Sequence, residues 1–262
     1  MADPNDFEAY KALLTEKTLR DIEDLDPKEV GFAREECCGP VPPKMANSMK
    51  LQEHIFLATK MPAVAWGKRT ENVEGFNSLS ALVKATCPNA TFNVFEAEGE
   101  EEPGILRFRL DEKGSALTIT QYNTTAYGEL PWASAGAITT DRSSEYFIYV
   151  CAHSTRDARC AFCGAVLVDL LRKAIVDTMG EEALKRISVR KCSHVGGHIY
   201  AGNVLVYSRF GGVCFGLFKP ADVDTLVGMF KDDQGVVPAS LRGRIRGQLL
   251  TSSASMFRCN TM

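Results

Sequence analysis

Histidine is scarce in this sequence, at 4 residues in 262, tryptophan is scarcer at 2, and net charge is nearly absent, with 30 Lys+Arg against 33 Asp+Glu. The near balance of charge excludes the basic footprint of a nucleic-acid binder. A content of 45% hydrophobic and 24% charged residues excludes a disordered or collagen-like chain. No apolar run approaches the roughly 20 residues that a membrane-spanning helix needs. The opening MADPNDFEAY is acidic where a signal or transit peptide is basic. The expectation is a cytoplasmic globular protein, with a mitochondrial location second, and with neither membrane nor nucleic acid as partner. At 262 residues it forms one large or two small domains and needs no disulfide staples.

Cysteine is present in excess of those needs. There are nine, an odd number, and Cys37 and Cys38 are adjacent, which does not suit a secreted disulfide framework. The cysteines are either buried thiols or ligands of a metal or redox centre.

Periodicity divides the chain into an N-terminal arm over 1–50, a unit over 51–140 and a second unit over 141–262. The arm is expected to be partly ordered, with a helical pattern near Phe7–Leu19 and two proline-rich spots. Leu51–Thr59 reads as strand, Ser78–Thr86 as helix, Thr91–Glu96 as strand, and Ile105–Leu110 with Ala116–Tyr122 as a hairpin. Glu96–Glu102 reads as an acidic loop and Gly128–Ser144 as a linker. The order then repeats: strand Glu145–Val150, helix Ala161–Met179, strand Ile187–Cys192, and a hairpin of Ile199–Tyr207 with Val213–Phe218. A helix over Ala221–Lys231, opened by Lys219-Pro220, follows. The shared order predicts two related α/β units.

The second unit concentrates the reactive side chains. Cys151 ends its first strand, Cys160 lies just before its helix, and His194 and His198 flank Val195-Gly196-Gly197 after its second strand. All four are therefore expected in loops at one end of a sheet, where ligand sites gather. Two thiolates and two imidazoles complete a tetrahedral zinc site, or hold a [2Fe–2S] cluster; the spacing leaves both open. A His-x3-His pair on a helix would suit a zinc peptidase. Val-Gly-Gly between the two supplies no general base and is a poor helix former, so that chemistry is excluded. The bland alternative is that the cysteines are inert core thiols.

The stretches Tyr149–Gly164 (YVCAHSTRDARCAFCG) and Lys191–Val204 (KCSHVGGHIYAGNV) resemble the two signature motifs of the sucrase/ferredoxin-like family, eukaryotic relatives of thioredoxin-like [2Fe–2S] ferredoxins. Val30-Gly31-Phe32, His54–Leu57 and the segment Gly216–Gly247 with its Arg-Gly-Gln extend the resemblance over about residues 30 to 250. The resemblance implies an α/β, thioredoxin-like fold in two units, the first degenerate and without a cofactor. It implies a [2Fe–2S] cluster on Cys151, Cys160, His194 and His198. An electron carrier, rather than an enzyme with its own substrate, is then expected, with a role in oxidant tolerance. Its partners would be a protein reductase or acceptor and the cytosolic cluster-assembly machinery. "Sucrase" is no guide to activity, since no acidic pair is placed for glycoside hydrolysis. Some relatives end in an aromatic associated with cluster delivery, whereas this sequence ends Asn260-Thr261-Met262, a departure that leaves the maturation route open and does not touch the ligands.

Around these ligands, Arg156, Arg159, Cys163, Cys192, Gly196 and Gly197 are expected as supporting residues. Arg156 and Arg159, with Arg190 and Lys191, would neutralise the centre or dock an acidic donor. Two rivals stand beside the cluster. Cys160-Ala161-Phe162-Cys163 is a Cys-x-x-Cys at a helix start, the position of a thiol-disulfide oxidoreductase pair, although Ile187–Tyr207 lacks the proline that thioredoxins set opposite it. The same four ligands would equally hold a structural zinc.

Overall fold

A computed structural model describes residues 3, 5–99, 104–134 and 136–252. Cys259, the terminal Asn260-Thr261-Met262 and Glu100–Glu102 of the acidic run lie outside the described residues. Among the described residues, no helix is long and apolar enough to cross a membrane.

Tyr146–Cys151 (YFIYVC) is buried at every position. A strand reaches that state only when both faces of its sheet are covered, which is why it reads as an unbroken apolar run. The elements around it are β1 (Glu53–Thr59), α1 (Phe76–Thr86), β2 (Ala90–Glu96), β3 (Ile105–Leu110), β4 (Leu117–Tyr122), β5 (Thr139–Asp141) and β6 (Tyr146–Cys151) itself. After it come α2 (Ala158–Met179), β7 (Ile187–Cys192), β8 (Val204–Ser208), β9 (Gly211–Phe215), α3 (Val223–Asp232) and β10 (Ile245–Leu250). The strands form one mixed sheet in the order β10-β9-β8-β6-β7-β2-β1-β3-β4-β5. The expected α/β class is thus observed. In both halves the first two strands pair parallel across a helical crossover and the next two add antiparallel, so β2-β1-β3-β4 and β7-β6-β8-β9 repeat one order.

The halves meet at β2 and β7, where a single pair, Phe95 with Cys192, is in register. Beyond this short joint the sheet folds over on itself. Phe56 of β1 stacks on Tyr149 of β6 at 4.0 Å, and Phe108 of β3 lies 4.5 Å from Tyr207 of β8 and 5.4 Å from Phe147 of β6, all ring to ring. These strands are far apart in the sheet order, so the contacts cross the interior of the fold. Backbone bonds from Leu117 to Arg209 (3.3 Å) and from Ser252 to Gly114 (2.6 Å) tie the outer strands together. Each buried aromatic contributes about 1.5–3 kcal/mol through burial, with about 0.5–1.5 kcal/mol more for each well-set ring pair.

The opposite face of β6 carries Tyr146, Ile148 and Val150 into a second core with α2 and α3. Asp157 caps α2 by accepting from the Arg159 N–H at 3.0 Å, and the helix stops at Gly180, whose φ is +82°. The helix begins three residues ahead of the start expected from periodicity, and Cys160 therefore sits in the first turn rather than before it.

Other expectations shift for physical reasons. The 128–144 stretch is no plain linker: Leu130 and Pro131 are buried and β5 pairs with β4. In the N-terminal arm the short helices Phe7–Tyr10, Glu16–Asp21 and Pro27–Val30 sink Tyr10, Ile22 and Phe32 into the α2 core. Thr15 donates its N–H and its hydroxyl to Asp169 of α2, both at 2.8 Å. The second hairpin begins at Val204, not Ile199, because the preceding residues are used in a 3-10 turn, His198–Tyr200.

One polar group sits inside the aromatic layer. His54, 1% exposed, stacks on Phe56 and donates from Nε2 to Asn93 Oδ1 (2.9 Å) while Nδ1 accepts from the Tyr207 hydroxyl (2.5 Å). Burial lowers its pKa to about 4, from 6.5. Between those values the unfolded chain binds a proton that the folded chain refuses, so stability rises with pH and is lost on acidification. The His54 contribution is about 3 kcal/mol between pH 6.5 and 4. Urea unfolding of the wild type should therefore weaken steeply over this window, and His54→Gln should show a flatter profile; parallel profiles would remove His54 from the account.

Candidate metal centre

Three elements deliver the side chains. β6 and β7 are parallel, with Cys151 opposite Cys192 in register, so both release their chains at the same edge of the sheet. Cys151 is the last residue of β6, Cys160 lies in the first turn of α2, and His194 is in the loop after β7. The helix reaches the strand because residue 164 is glycine. A Cβ there would stand 2.3 Å from the Cys151 carbonyl oxygen and 2.6 Å from Ala152. Glycine thus lets α2 close on the end of β6 and sets Cys160 beside Cys151.

The donor atoms of Cys151, Cys160 and His194 all lie within 4.8 Å of one another. His194 Nδ1 is 3.8 Å from Cys151 Sγ and 4.0 Å from Cys160 Sγ. Both sulfurs are buried and His194 is half-buried. A hydrogen bond from the Cys160 thiol holds the Cys151 thiol well below its ordinary pKa, with His194 adding to it; the same bond, with burial, pushes Cys160 up. The pair thus favours one thiolate, the state in which cysteine binds metal. His198 is exposed and stands outside this triad, its ring 5.8 Å from that of His194. Soft thiolates with imidazoles match zinc or an iron–sulfur cluster and disfavour hard cations.

The histidine loop is held by residues that motif spacing did not reveal. His153, 2% exposed, accepts the His194 N–H on Nδ1 (3.3 Å) and donates from Nε2 to Gly67 O (2.9 Å). Burial lowers its pKa, so the neutral ring makes both bonds. Asn93 donates to Ser193 Oγ (2.8 Å) and His194 O (3.1 Å), linking the loop to His54. Arg246 of β10, 2% exposed, donates to Gly196 O (3.1 Å), Asn203 Oδ1 (2.5 Å) and Ser48 Oγ (3.1 Å). Gly196 and Gly197 have φ of +80° and +65°. A Cβ on Gly197 would meet Arg246 Nη2 at 2.2 Å, so Gly197 makes room for this guanidinium, whereas Gly196 meets nothing and answers only its positive φ. The Arg-Gly-Gln at residues 246–248 was the one sequence signal for it.

The supporting residues expected from sequence separate. Arg156 is exposed beside His194. Arg159 grips Asp157 with two bonds of 3.0 Å. Arg190 faces Glu98 at 3.9 Å, and Lys191 is buried against Asp21 at 2.8 Å, so neither is free to serve the centre. Cys192 points into the aromatic layer instead of toward the ligands. Cys163 is fully buried and faces the N-terminal segment, accepting from Arg34 Nη1 at 3.2 Å and donating to Val30 O at 3.6 Å. Burial pushes its thiol pKa up while Arg34 opposes it. Such a thiol is poorly placed for exchange with a substrate disulfide. A cleft of about 690 Å³ lies at the opposite sheet edge around Gln121, Arg142, Glu145 and Ser188 and holds none of the candidate ligands.

Residues 44–243 match the model of a family described as sucrase/ferredoxin-like. The chain is 35% identical over 108 residues to Altered inheritance of mitochondria protein 32 of Eremothecium gossypii, covering 37% of this chain and 32% of that protein. It is 29% identical over 106 residues to the protein of the same name from Meyerozyma guilliermondii, covering 40% and 36%. It is 32% identical over 72 residues to Actin patches distal protein 1 of Saccharomyces cerevisiae, covering 24% and 22%. The matched stretches span about a third of the first two relatives' length and less of the third. No solved structure matches the chain.

Gly164→Ala should destabilise the fold by about 1–3 kcal/mol, because backbone rather than a flexible side chain blocks the added methyl. It should also lower bound metal. Gly228→Ala on α3, where a Cβ meets nothing within 4 Å, should stabilise by up to about 1 kcal/mol. Urea unfolding and metal analysis of the two variants check this; equal effects would remove the close-approach argument.

Proposed function

We propose, from the premise that this chain belongs to the sucrase/ferredoxin-like family, that it is an electron carrier whose Cys151 and Cys160 thiolates and His194 and His198 imidazoles hold a [2Fe–2S] cluster. The observation that carries this reading is the convergence of Cys151, Cys160 and His194 from a strand, a helix and a loop, with His198 one short turn away. Such a cluster supplies one-electron chemistry, in the range of about −150 to +300 mV for bis-histidinyl ligation. The protein's own part is positional. Gly164 closes α2 on β6, while His153, Asn93 and Arg246 fix the loop that presents the imidazoles. Exposure of His198 leaves a ligand edge open to a partner and to solvent protons.

The repeated strand order supports a finer reading of the fold: two related thioredoxin-like units over 51–140 and 141–262, behind an N-terminal arm. β6 ends in Cys151, whereas β1 ends in Thr59, in keeping with a first unit that carries no cofactor. A protein reductase or acceptor and the cytosolic cluster-assembly machinery are its partners in this reading, and tolerance of oxidants is its setting. The names of the matched relatives support a mitochondrial connection beside the cytoplasmic one expected from sequence.

A specific distance favours a second reading, a structural zinc. The sulfur-to-nitrogen spacings of 3.8 and 4.0 Å lie near the roughly 3.6 Å that Zn–S of about 2.3 Å and Zn–N of about 2.05 Å give at a tetrahedral angle. Anaerobic purification with iron, sulfide and zinc analysis separates the two. Equimolar iron and acid-labile sulfide should be found, with a Rieske-like EPR signal after dithionite reduction that is lost in Cys160→Ser and His194→Ala. Stoichiometric zinc without iron or sulfide would replace the cluster by the second reading.

A further inference from the structure

The chain is acidic overall, at a formal −3, yet the surface beside His194 is not. A recess of about 230 Å³ opens there, and Lys68, Arg69, Arg156, His153 and His194 are among its walls. All three cations are exposed. Among the described residues, none of their side chains has a carboxylate within ion-pair distance, whereas the cations of the larger cleft, Arg142 and Arg190, face Glu145 and Glu98. Glu71, whose carboxylate accepts the Arg69 backbone N–H at 2.7 Å, also feels the charges of Arg69 and His153, so the rim carries a carboxylate beside its three cations.

This basic rim is built onto the centre rather than hung from a loose loop. Gly67, next to Lys68, accepts from His153, whose other nitrogen accepts from the His194 backbone. Thr155, next to Arg156, donates to Trp66 O at 2.7 Å. A surface held in fixed relation to a redox ligand loses little freedom when a partner docks. Ile199, next to His198 in the chain, is 49% exposed and offers an apolar contact on the same histidine loop.

We infer that the face formed by Lys68, Arg69 and Arg156 around His194 is the docking surface for the acidic face of a redox-partner protein. This rests on the electron-carrier reading. Opposite charge steers such a partner to the ligand edge and raises its encounter rate, more so at low salt, while the protein's net negative charge repels approach elsewhere.

The test is binding of a strongly acidic redox protein, bacterial flavodoxin, to the full chain as isolated, by fluorescence anisotropy at about 20 and 300 mM salt. Saturable binding should weaken at least about tenfold with salt. It should also weaken at least about tenfold in the Lys68→Glu/Arg69→Glu/Arg156→Glu variant, and less than about twofold in Lys11→Glu/Lys113→Glu/Lys185→Glu, which reverses the same number of charges elsewhere. No binding, or equal weakening in both variants, overturns the proposal. Tight 1:1 binding of inorganic phosphate that the triple variant abolishes, with flavodoxin unbound, also overturns it and makes the recess a small-anion site. Metal analysis of the same samples keeps the readings apart: selective flavodoxin binding by a zinc-loaded, iron-free protein retains a docking surface for an acidic protein but overturns the cluster and with it the redox role of the partner.

Discussion

The approach of α2 to the end of β6 is the constraint on which the site depends. At Gly164 helix and strand come so close that a single methyl group would touch the carbonyl of Cys151. That contact sets the two sulfurs side by side, and the hydrogen bond between them biases one toward thiolate. Parallel pairing of β6 with β7 then brings the histidine loop to the same edge. Each later feature of the site, from the Arg246 anchor to the placement of His198, refines the loop around a cysteine pair already fixed by backbone packing.

The second organising feature is that the central strands of the sheet are buried on both faces, while the edge strand β5 is exposed. Their helix side is covered by α1 in the first half and by α2, α3 and the N-terminal segment in the second, and their other side by the sheet's own fold across the β2–β7 joint. Burial on both sides obliges every polar group inside to find a partner. The run from Tyr207 through His54 and Asn93 to Ser193 and the His194 carbonyl answers that need. It also joins the aromatic interior to the ligand loop, so the rigidity of the core is passed to the site.

Much of this was legible in the sequence because it rests on local patterns. The unbroken apolar run of β6, the i, i+3, i+4 spacing of α2 and the β3–β4 hairpin stand close to where periodicity places them. The clustering of Cys151, Cys160 and His194 followed from their positions at the ends of those elements. What was not legible depends on contacts distant in sequence. Nothing local marks Phe108 as a neighbour of Tyr207, or Arg246 as the clamp of Gly196, some 50 residues away. His153 was overlooked because it stands between two cysteines that drew the motif reading, and its role is visible only once Gly67 is beside it. Cys163 was weighed as a redox partner of Cys160 because spacing cannot tell that the side chain turns toward Arg34.

The repeated strand order invites the thought that the second half could be excised as a minimal unit carrying the convergent Cys151, Cys160 and His194. The shared aromatic layer argues otherwise. A fragment starting near residue 141 would bare Phe147, Tyr149, Leu205 and Tyr207, which now lie at most 1% exposed, as a continuous apolar face with nothing to cover it. The first half, even where it offers no ligand, serves as the other wall of one interior. Shortened versions of this protein would therefore have to be cut within its loops and not between its halves.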